Sequence, residues 1–141
     1  MSASEGMAYM TMTKHTKRHT MNIQEVFDKV VLHARTQQVK SVSCSPFDFC
    51  RYRDGKGNKC FIGALITDEH YTPKLENKRA CTPAVSRALT ASGCNPCCFP
   101  SYALDQLQEI HDEYNPKEWE VQFKFFALKY NLTYTPVASL C

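Results

Sequence analysis

The sequence lacks the patterns that mark the commonest enzyme chemistries. It has no glycine-rich phosphate-binding loop, no complete set of zinc ligands and no recognisable nucleophile motif, so nothing in it points directly to an NTPase, a zinc enzyme or a hydrolase. It also has no apolar run approaching the roughly 18 residues of a membrane span, and its first residues lack the apolar core of a signal peptide. We therefore expect a cytoplasmic protein with no membrane partner.

A large excess of one charge is also absent. The 17 Lys and Arg exceed the 14 Asp and Glu by 3. Residues 1–20 account for 2 of these charges, because Lys14, Lys17 and Arg18 outnumber Glu5 by 3 to 1. The rest of the chain is nearly neutral and lacks the basic surface that phosphate binding requires, so we do not expect nucleic acid as a partner.

Two regions are expected along the 141 residues. Residues 1–20 have no apolar periodicity, which is typical of a disordered or flexible basic arm. Contact of this arm with nucleic acid or an acidic partner is the alternative to a solvated tail. Residues 21–141 are expected to form a single helical domain, since a chain that is 43% hydrophobic supplies enough apolar material for one core.

Helical periodicity dominates this second region and predicts a mainly α fold. We expect a compact bundle of four to five helices with a small β-hairpin near residues 47–59, where Asp54-Gly-Lys-Gly-Asn58 is typical of a tight turn. The helices are expected at residues 22–34, 60–66 and 82–93, after Ser101, and from Asn115, where Asn22 and Asn115 each begin a capping box.

The last of these helices carries apolar residues on more than one face. One stripe is Trp119, Phe123, Phe126, Ala127 and Tyr130, and a second is Val121, Phe125 and Leu128. Such a helix must be buried nearly all round, either as the central helix of the domain or in a homodimer. We favour the central helix.

Eight cysteines leave three interpretations open. They are Cys44, Cys50, Cys60, Cys81, Cys94, Cys97, Cys98 and Cys141. Without an export signal we favour reduced thiols over disulfides. Cys94 and Cys97 have the spacing of a zinc-binding pair, and Cys81, or Cys44 and Cys50, would complete the site. No cofactor is otherwise expected; a redox pair and a packed loop are the alternatives to zinc.

Two clusters of polar residues offer acid–base chemistry. Asp68, Glu69, His70 and Tyr71 stand close to Glu76 in the sequence, as catalysis or divalent-metal binding would require, although a solvated helix end explains them as well. His111 shares a face with Leu104 and Leu107, so we expect its imidazole to point inward, bordered by Gln108 or Cys60, while Asp112 points elsewhere. A satisfied core histidine is the alternative to a ligand role, and Cys60 would be a nucleophile only if its thiol pKa were lowered.

The sequence resembles a loosely known group of small, mostly uncharacterised proteins of bacteria and their phages. The resemblance covers residues 40–132 and rests on Gly57 and Cys60 in GNKCFIGALI, the run from Asp68 to Tyr71 with Pro73 and Glu76, the run Leu107-Gln-Glu-Ile-His-Asp112, and Trp119, Ala127, Tyr130 and Leu132. Helical domains with a similar Cys-x-x-Gly-Ala-Leu element imply a helix at residues 60–66. The resemblance implies no activity, and the eight cysteines and the basic arm depart from its pattern.

The sequence favours a non-enzymatic binding protein, such as a phage accessory protein or host-defence inhibitor in the host cytoplasm, that captures a host protein or a small nucleotide-like ligand. The candidate ligand-binding residues are Cys60, Asp68, His70, Tyr71, Glu76, His111 and Asp112, and the candidate metal ligands are Cys81, Cys94, Cys97 and Cys98. One alternative is a small hydrolase or transferase that uses the histidines and carboxylates. The other is a zinc-stabilised interaction module built on Cys94 and Cys97.

Overall fold

The computed structural model describes residues 19–42 and 50–137. Within them the fold is mainly helical, as predicted, with five α-helices: α1 (Ile23–Gln37), α2 (Phe61–Leu65), α3 (Pro83–Ala91), α4 (Ala103–Glu113) and α5 (Trp119–Tyr130). Short 3₁₀ turns occur at Asp68–His70, Pro73–Leu75, Pro96–Cys98 and Pro116–Glu118. Residues 1–18 of the predicted arm lie outside the described part of the chain. No described helix combines the length and the apolar character needed to cross a membrane.

Helix α1 begins at the residue that its capping signals predict. Asn22 Oδ1 accepts a hydrogen bond from Glu25 N at 2.9 Å, and Asn22 N donates to Glu25 Oε1 at 2.9 Å, so both halves of the capping box form. The buried face of α1 packs on α2, and its Phe27 ring stacks 5.6 Å from the ring of Phe126 in α5. Helix α1 therefore connects the central helix α2 to the C-terminal helix.

The short helix α2 lies in the centre of the core, and its apolar side chains are almost fully buried. Cys60 caps it by accepting a hydrogen bond from Gly63 N at 3.2 Å. A Cβ on Gly63 would lie 2.2 Å from Tyr52 O, so only glycine fits at this position. This close approach places the segment around Tyr52 directly against the core.

The predicted hairpin is represented in the described residues by its turn. Asp54 N donates to Asn58 O at 3.2 Å, and both glycines between them have positive φ. Beyond the turn there are two isolated antiparallel bridges, between Arg53 and Lys59 and between Cys50 and Val42, and no strand in residues 50–59; residues 47–49 lie outside the described part. The returning segment enters α2 at Phe61, where the Cys60 carbonyl accepts from Ala64 N, and Tyr52 N donates to Glu76 Oε1 instead of to Cys60 O.

Helix α3 starts at Pro83, as predicted, and ends two residues before Gly93, which has a φ of +92°. Only glycine adopts that conformation without strain. Thr82 does not cap this helix through its side chain; its Oγ1 donates to Arg79 O at 2.8 Å. Pro83 has no N–H, so the first turn has one donor fewer to satisfy.

Helix α5 is buried on one face only, which corrects the expectation of a central helix buried all round. Trp119, Phe123, Phe126 and Ala127 are at most 5% exposed, whereas Val121, Phe125 and Leu128 are 53%, 57% and 70% exposed. The central position belongs to α2, whose residues Phe61, Ile62, Gly63 and Leu65 are buried and whose Gly63 lets Tyr52 O approach closely. We call Val121, Phe125 and Leu128 the outer stripe.

The chain after α5 folds back over the seam between α5 and α1. Arg35 makes two hydrogen bonds of 2.8 Å to the Glu120 carboxylate and a third, of 2.7 Å, to Thr135 O. Tyr134 OH donates to Glu120 Oε1 at 2.6 Å. The bidentate geometry fixes both side chains, so residues 133–135 are held against α1.

Candidate functional site

A groove of about 480 Å³ runs between α4 and the segments 50–52 and 76–80. Its volume lies in the range of small-molecule sites. Tyr102, which precedes α4, lines the groove, is 72% exposed and has a φ of +68°. A left-handed backbone at a non-glycine residue is strained and persists where the surrounding structure holds it in place. We call this feature the α4 groove.

One wall of the α4 groove is acidic. Asp105, Glu109, Asp112 and Glu113 all line it, and their spacing places them on one face of α4. Helix α4 contains no lysine or arginine. Carboxylates on one helix face repel each other. Because the helix has no lysine or arginine to offset this repulsion, a cation bound in the groove would relieve it.

The opposite wall carries Arg51, Lys78 and Arg79 together with the Glu76 carboxylate, whose Oε1 lies 3.8 Å from Arg51 Nε, so three formal positive charges face one negative charge within it. Arg79 Nη2 lies 3.7 Å from Asp105 Oδ2, so one ion pair joins the two walls. This pair is largely exposed on its arginine side, and such pairs contribute little to stability. The α4 groove therefore has walls of opposite charge facing each other.

Glu76, one of the predicted site residues, fixes the basic wall in place. Its side chain is only 6% exposed. Oε1 accepts a hydrogen bond from Tyr52 N at 2.9 Å, while Oε2 accepts from Arg53 N at 3.1 Å and from Tyr71 OH at 2.6 Å. These donors occupy the carboxylate, so its contacts favour a structural role at the edge of the groove.

Asp68, His70 and Tyr71 do not line the α4 groove. Asp68 Oδ1 pairs with Arg53 Nη1 at 2.7 Å, and attraction by Lys59 and Arg53 lowers the pKa of the exposed Asp68 carboxyl. The Arg53 guanidinium lies 4.4 Å from the centre of the Tyr71 ring and donates to Ile66 O at 2.8 Å. This predicted cluster is therefore organised around Arg53, which ties the 54–58 turn to residues 66–71.

His70 lies beside Glu69, with 3.8 Å between Nε2 and Oε2, and its side chain is 28% exposed. The structure thus divides the predicted acid–base residues between two places. Glu76 and Asp112 line the α4 groove, whereas Asp68 and His70 lie outside its lining.

His111 is fully buried, as predicted, and its hydrogen bonds identify its tautomer. Ser41 N donates to Nε2 at 3.1 Å, so Nε2 carries the lone pair and the proton is on Nδ1. Nδ1 then donates to Asp112 Oδ1 at 2.8 Å. The ring also packs 5.7 Å from Trp119 and 5.1 Å from Phe61. Both nitrogens have partners, so the imidazole is a satisfied core group.

The prediction that Asp112 points away from His111 is wrong. Nδ1 is the ring nitrogen nearer the backbone, so the carboxylate of the next residue reaches it. Gln108 borders Asp112 instead of the imidazole, since its Nε2 donates to Asp112 Oδ1 at 2.7 Å. Burial opposes ionisation of Asp112, but hydrogen bonds from His111, Cys50 and Gln108 outweigh it and hold the pKa below its usual value.

The two thiols in the lining of the groove, those of Cys50 and Cys60, have raised pKa values. Burial, together with the neighbouring Asp112, raises the pKa of Cys50 to about 12. Burial also raises the pKa of Cys60 well above its usual value. A nucleophilic thiol needs the opposite shift, so these contacts favour a structural role for Cys60 as the cap of α2.

Cys50, His111 and Asp112 bring three potential metal-ligand atoms within 4.8 Å of one another. A metal bound there would displace the proton on His111 Nδ1 and the proton of the Cys50 thiol, whose pKa burial raises to about 12. The tautomer follows from the backbone N–H of Ser41, which can only donate, so His111 Nε2 must be the acceptor.

The cysteines proposed for zinc are separated by their environments. Cys94 is fully buried, whereas Cys81, Cys97 and Cys98 are exposed. Among residues 19–42 and 50–137, no group of three potential ligands includes any of these four thiols. Cys44 and Cys141 lie outside the described residues.

The sequence analysis did not identify the α4 groove. Its acidic wall could have been recognised from four carboxylates at helical spacing in a helix without lysine or arginine. The basic wall could not be recognised, because Arg51 and the pair Lys78 and Arg79 are far apart in the sequence.

Comparison of the chain with protein-family models, curated proteins and solved structures gave no match.

Proposed function

We propose that this protein is a non-enzymatic binding domain whose α4 groove holds a small zwitterionic molecule. The observation that carries the proposal is the pair of facing walls, with Asp105, Glu109, Asp112 and Glu113 on one side and Arg51, Lys78 and Arg79 on the other. A ligand with a cationic and an anionic end complements both walls at once.

Other classes of ligand fit this groove less well. The four carboxylates of α4 repel a polyphosphate, which argues against the nucleotide-like ligand expected from the sequence. The three cations of the opposite wall in turn repel a simple amine. A free amino acid, which carries both charges, meets neither penalty.

The state of the polar groups supports binding over catalysis. The thiols in the groove have raised pKa values, the His111 imidazole is shielded from the groove by Asp112, and the Glu76 oxygens are occupied. The hydrolase or transferase and the zinc module therefore remain predictions with less support. Capture of a host protein by a phage accessory protein or host-defence inhibitor also remains a prediction.

Calorimetric titration with three matched probes tests the proposal. 6-Aminohexanoate carries both charges, hexylamine only the cation and hexanoate only the anion. We expect a dissociation constant on the order of 1 mM for the zwitterion, since this corresponds to about 4 kcal/mol for nine heavy atoms, and at least roughly tenfold weaker binding of the other two.

Two exposed groove residues supply the variants. Glu109→Gln and Lys78→Gln should each weaken zwitterion binding by about 3- to 10-fold, while Lys74→Gln, an exposed lysine outside the groove lining, should have no effect. Equal binding of all three probes, or binding that neither groove variant changes, would contradict the proposal.

A further inference from the structure

Cys50, His111 and Asp112 bring a sulfur, a nitrogen and an oxygen atom together at the side of the α4 groove. One ligand atom of each residue lies within 4.8 Å of the other two, and His111 Nδ1 is 2.8 Å from Asp112 Oδ1. Donor atoms around a tetrahedral zinc ion are about 3.3–3.6 Å apart, because the metal–ligand distances are about 2.0–2.3 Å. Each separation in the cluster therefore differs by about 1.5 Å at most from the value that zinc requires.

The backbone around the cluster holds the three side chains near one another. An isolated antiparallel bridge pairs Cys50 with Val42, and Ser41, the residue before Val42, donates its N–H to His111 Nε2 at 3.1 Å. His111 and Asp112 lie in the last turn of α4, where the unpaired carbonyl groups of a helix end favour a cation. Ligands that are already in place lose little freedom on binding, so this arrangement favours a metal ion.

We propose that Cys50, His111 and Asp112 form a zinc site, distinct from the predicted pair Cys94 and Cys97. Sulfur and imidazole nitrogen are ligands that zinc accepts, whereas magnesium and calcium prefer oxygen alone. Cys50 and Asp112 both line the α4 groove, so the metal enters from the groove. Three protein ligands leave the fourth tetrahedral position to a water molecule on that side.

Metal binding moves two protons. The Cys50 thiol releases its proton to solvent, and the ring proton of His111 passes from Nδ1 to Nε2, so that Sγ and Nδ1 each offer a lone pair to the metal. The new Nε2–H needs an acceptor, which the Ser41 N–H cannot be. Ser41 also carries a hydroxyl that is fully buried and has no hydrogen-bond partner among the described residues. A metal-bound histidine commonly donates its second N–H to an outer-shell acceptor, and we assign this role to Ser41 Oγ.

The charges around the cluster act in both directions. The Cys50 thiolate and the Asp112 carboxylate neutralise the two charges of the zinc ion, and Glu113, also in the groove lining, adds attraction. Lys40 opposes the metal, because its Nζ donates to Asp112 O at 3.0 Å and its charge acts on the Cys50 thiol. Loss of the Lys40 charge should therefore strengthen metal binding, whereas loss of a ligand should weaken it.

Titration of the reduced, metal-free full chain with Co²⁺, followed by competition with Zn²⁺, tests the proposal. We expect one Co²⁺ per chain and a thiolate-to-cobalt charge-transfer band that Zn²⁺ removes. Cys50→Ser should abolish the band and weaken Zn²⁺ binding by at least about 100-fold, and Ser41→Ala should weaken it by about 10-fold. Lys40→Gln should strengthen Zn²⁺ binding by about 3- to 10-fold.

The matched control is the double variant Cys97→Ser and Cys98→Ser, which removes two exposed thiols and should keep both the band and the affinity. Asp112→Asn is the second ligand variant and should weaken Zn²⁺ binding by about 10- to 100-fold. It replaces Cys50→Ser if circular dichroism shows that the latter does not fold.

The absence of a charge-transfer band at millimolar Co²⁺ would overturn the proposal. A band that survives in Cys50→Ser and is lost in the double variant would do so as well, because the metal would then be bound by the exposed thiols. The titrations contain metal alone, so their outcome is independent of the zwitterion proposed for the α4 groove.

Discussion

Neutralising the buried carboxylate of Glu76 should destabilise the protein strongly. Glu76 accepts hydrogen bonds from two backbone N–H groups, those of Tyr52 and Arg53, and from the Tyr71 hydroxyl. Glu76→Gln keeps the shape of the side chain but removes its charge and replaces one acceptor oxygen with an amide NH₂. At least one of the three donors must then face another donor.

The size of the effect follows from the burial of the group. Hydrogen bonds to charged groups contribute about 1.5–3 kcal/mol each, and an unsatisfied buried donor costs about 1–3 kcal/mol. Allowing for relaxation of the half-buried Tyr71 contact, we expect a loss of about 3 kcal/mol in the free energy of unfolding. For a chain of this length that corresponds to a decrease in Tm of about 9 °C.

Urea denaturation and differential scanning calorimetry measure this loss, with Glu69→Gln as the control, because the Glu69 side chain is 69% exposed. The control should change stability by less than about 0.5 kcal/mol. If Glu76 is instead held ready for a ligand or for catalysis, removing its charge should leave stability unchanged or raise it. A Glu76→Gln variant as stable as the parent protein would refute the structural role.

Three further predictions follow from the core and the groove. Gly63→Ala should lower the free energy of unfolding in urea by at least about 3 kcal/mol, because the added Cβ would lie 2.2 Å from Tyr52 O. The control Ala64→Gly should lower it by roughly 1 kcal/mol. A loss no larger than that of the control would show that the backbone at Tyr52 moves to accommodate the methyl group. The pKa of Asp112 is lower in the folded protein than its ordinary value of 3.8, so its contribution to stability is present above about pH 4 and is lost as the pH falls further. Asp112→Asn should flatten that acid limb of the stability curve, and an unchanged limb would exclude Asp112 as its source. Iodoacetamide labelling followed by mass spectrometry should modify the exposed Cys97 and Cys98 well before the buried Cys94, whose pKa burial raises to about 12; uniform labelling would contradict the burial.

Local signals predicted the parts of the fold that depend on neighbouring residues. The capping boxes at Asn22 and Asn115 form as expected, since each needs only a residue three positions away. The helix at 61–65 and the end of α3 near Gly93 were predicted for the same reason. The inward position of His111 followed from its spacing with apolar neighbours on one helix face.

Long-range contacts limited the rest of the prediction. The hairpin expected near residues 47–59 depended on local turn chemistry, but the returning segment enters α2 at Phe61, and Tyr52 N donates to Glu76, more than 20 residues away, instead of to Cys60 O. The exposure of Phe125 could not be predicted because α5 is apolar on two faces, and which face is buried depends on the packing of α1 and α4. The basic wall likewise exists only once residues 51 and 78–79 come together.

The most direct test of the account is an amide NMR titration of the ¹⁵N-labelled protein with 6-aminohexanoate, with hexylamine and hexanoate as references. We predict saturable shifts confined to α4 and to residues 50–52 and 76–80, larger for the zwitterion than for either reference. Shifts centred on Asp68–His70, or no saturable shifts at millimolar concentrations, would contradict the assignment of the α4 groove as the binding site.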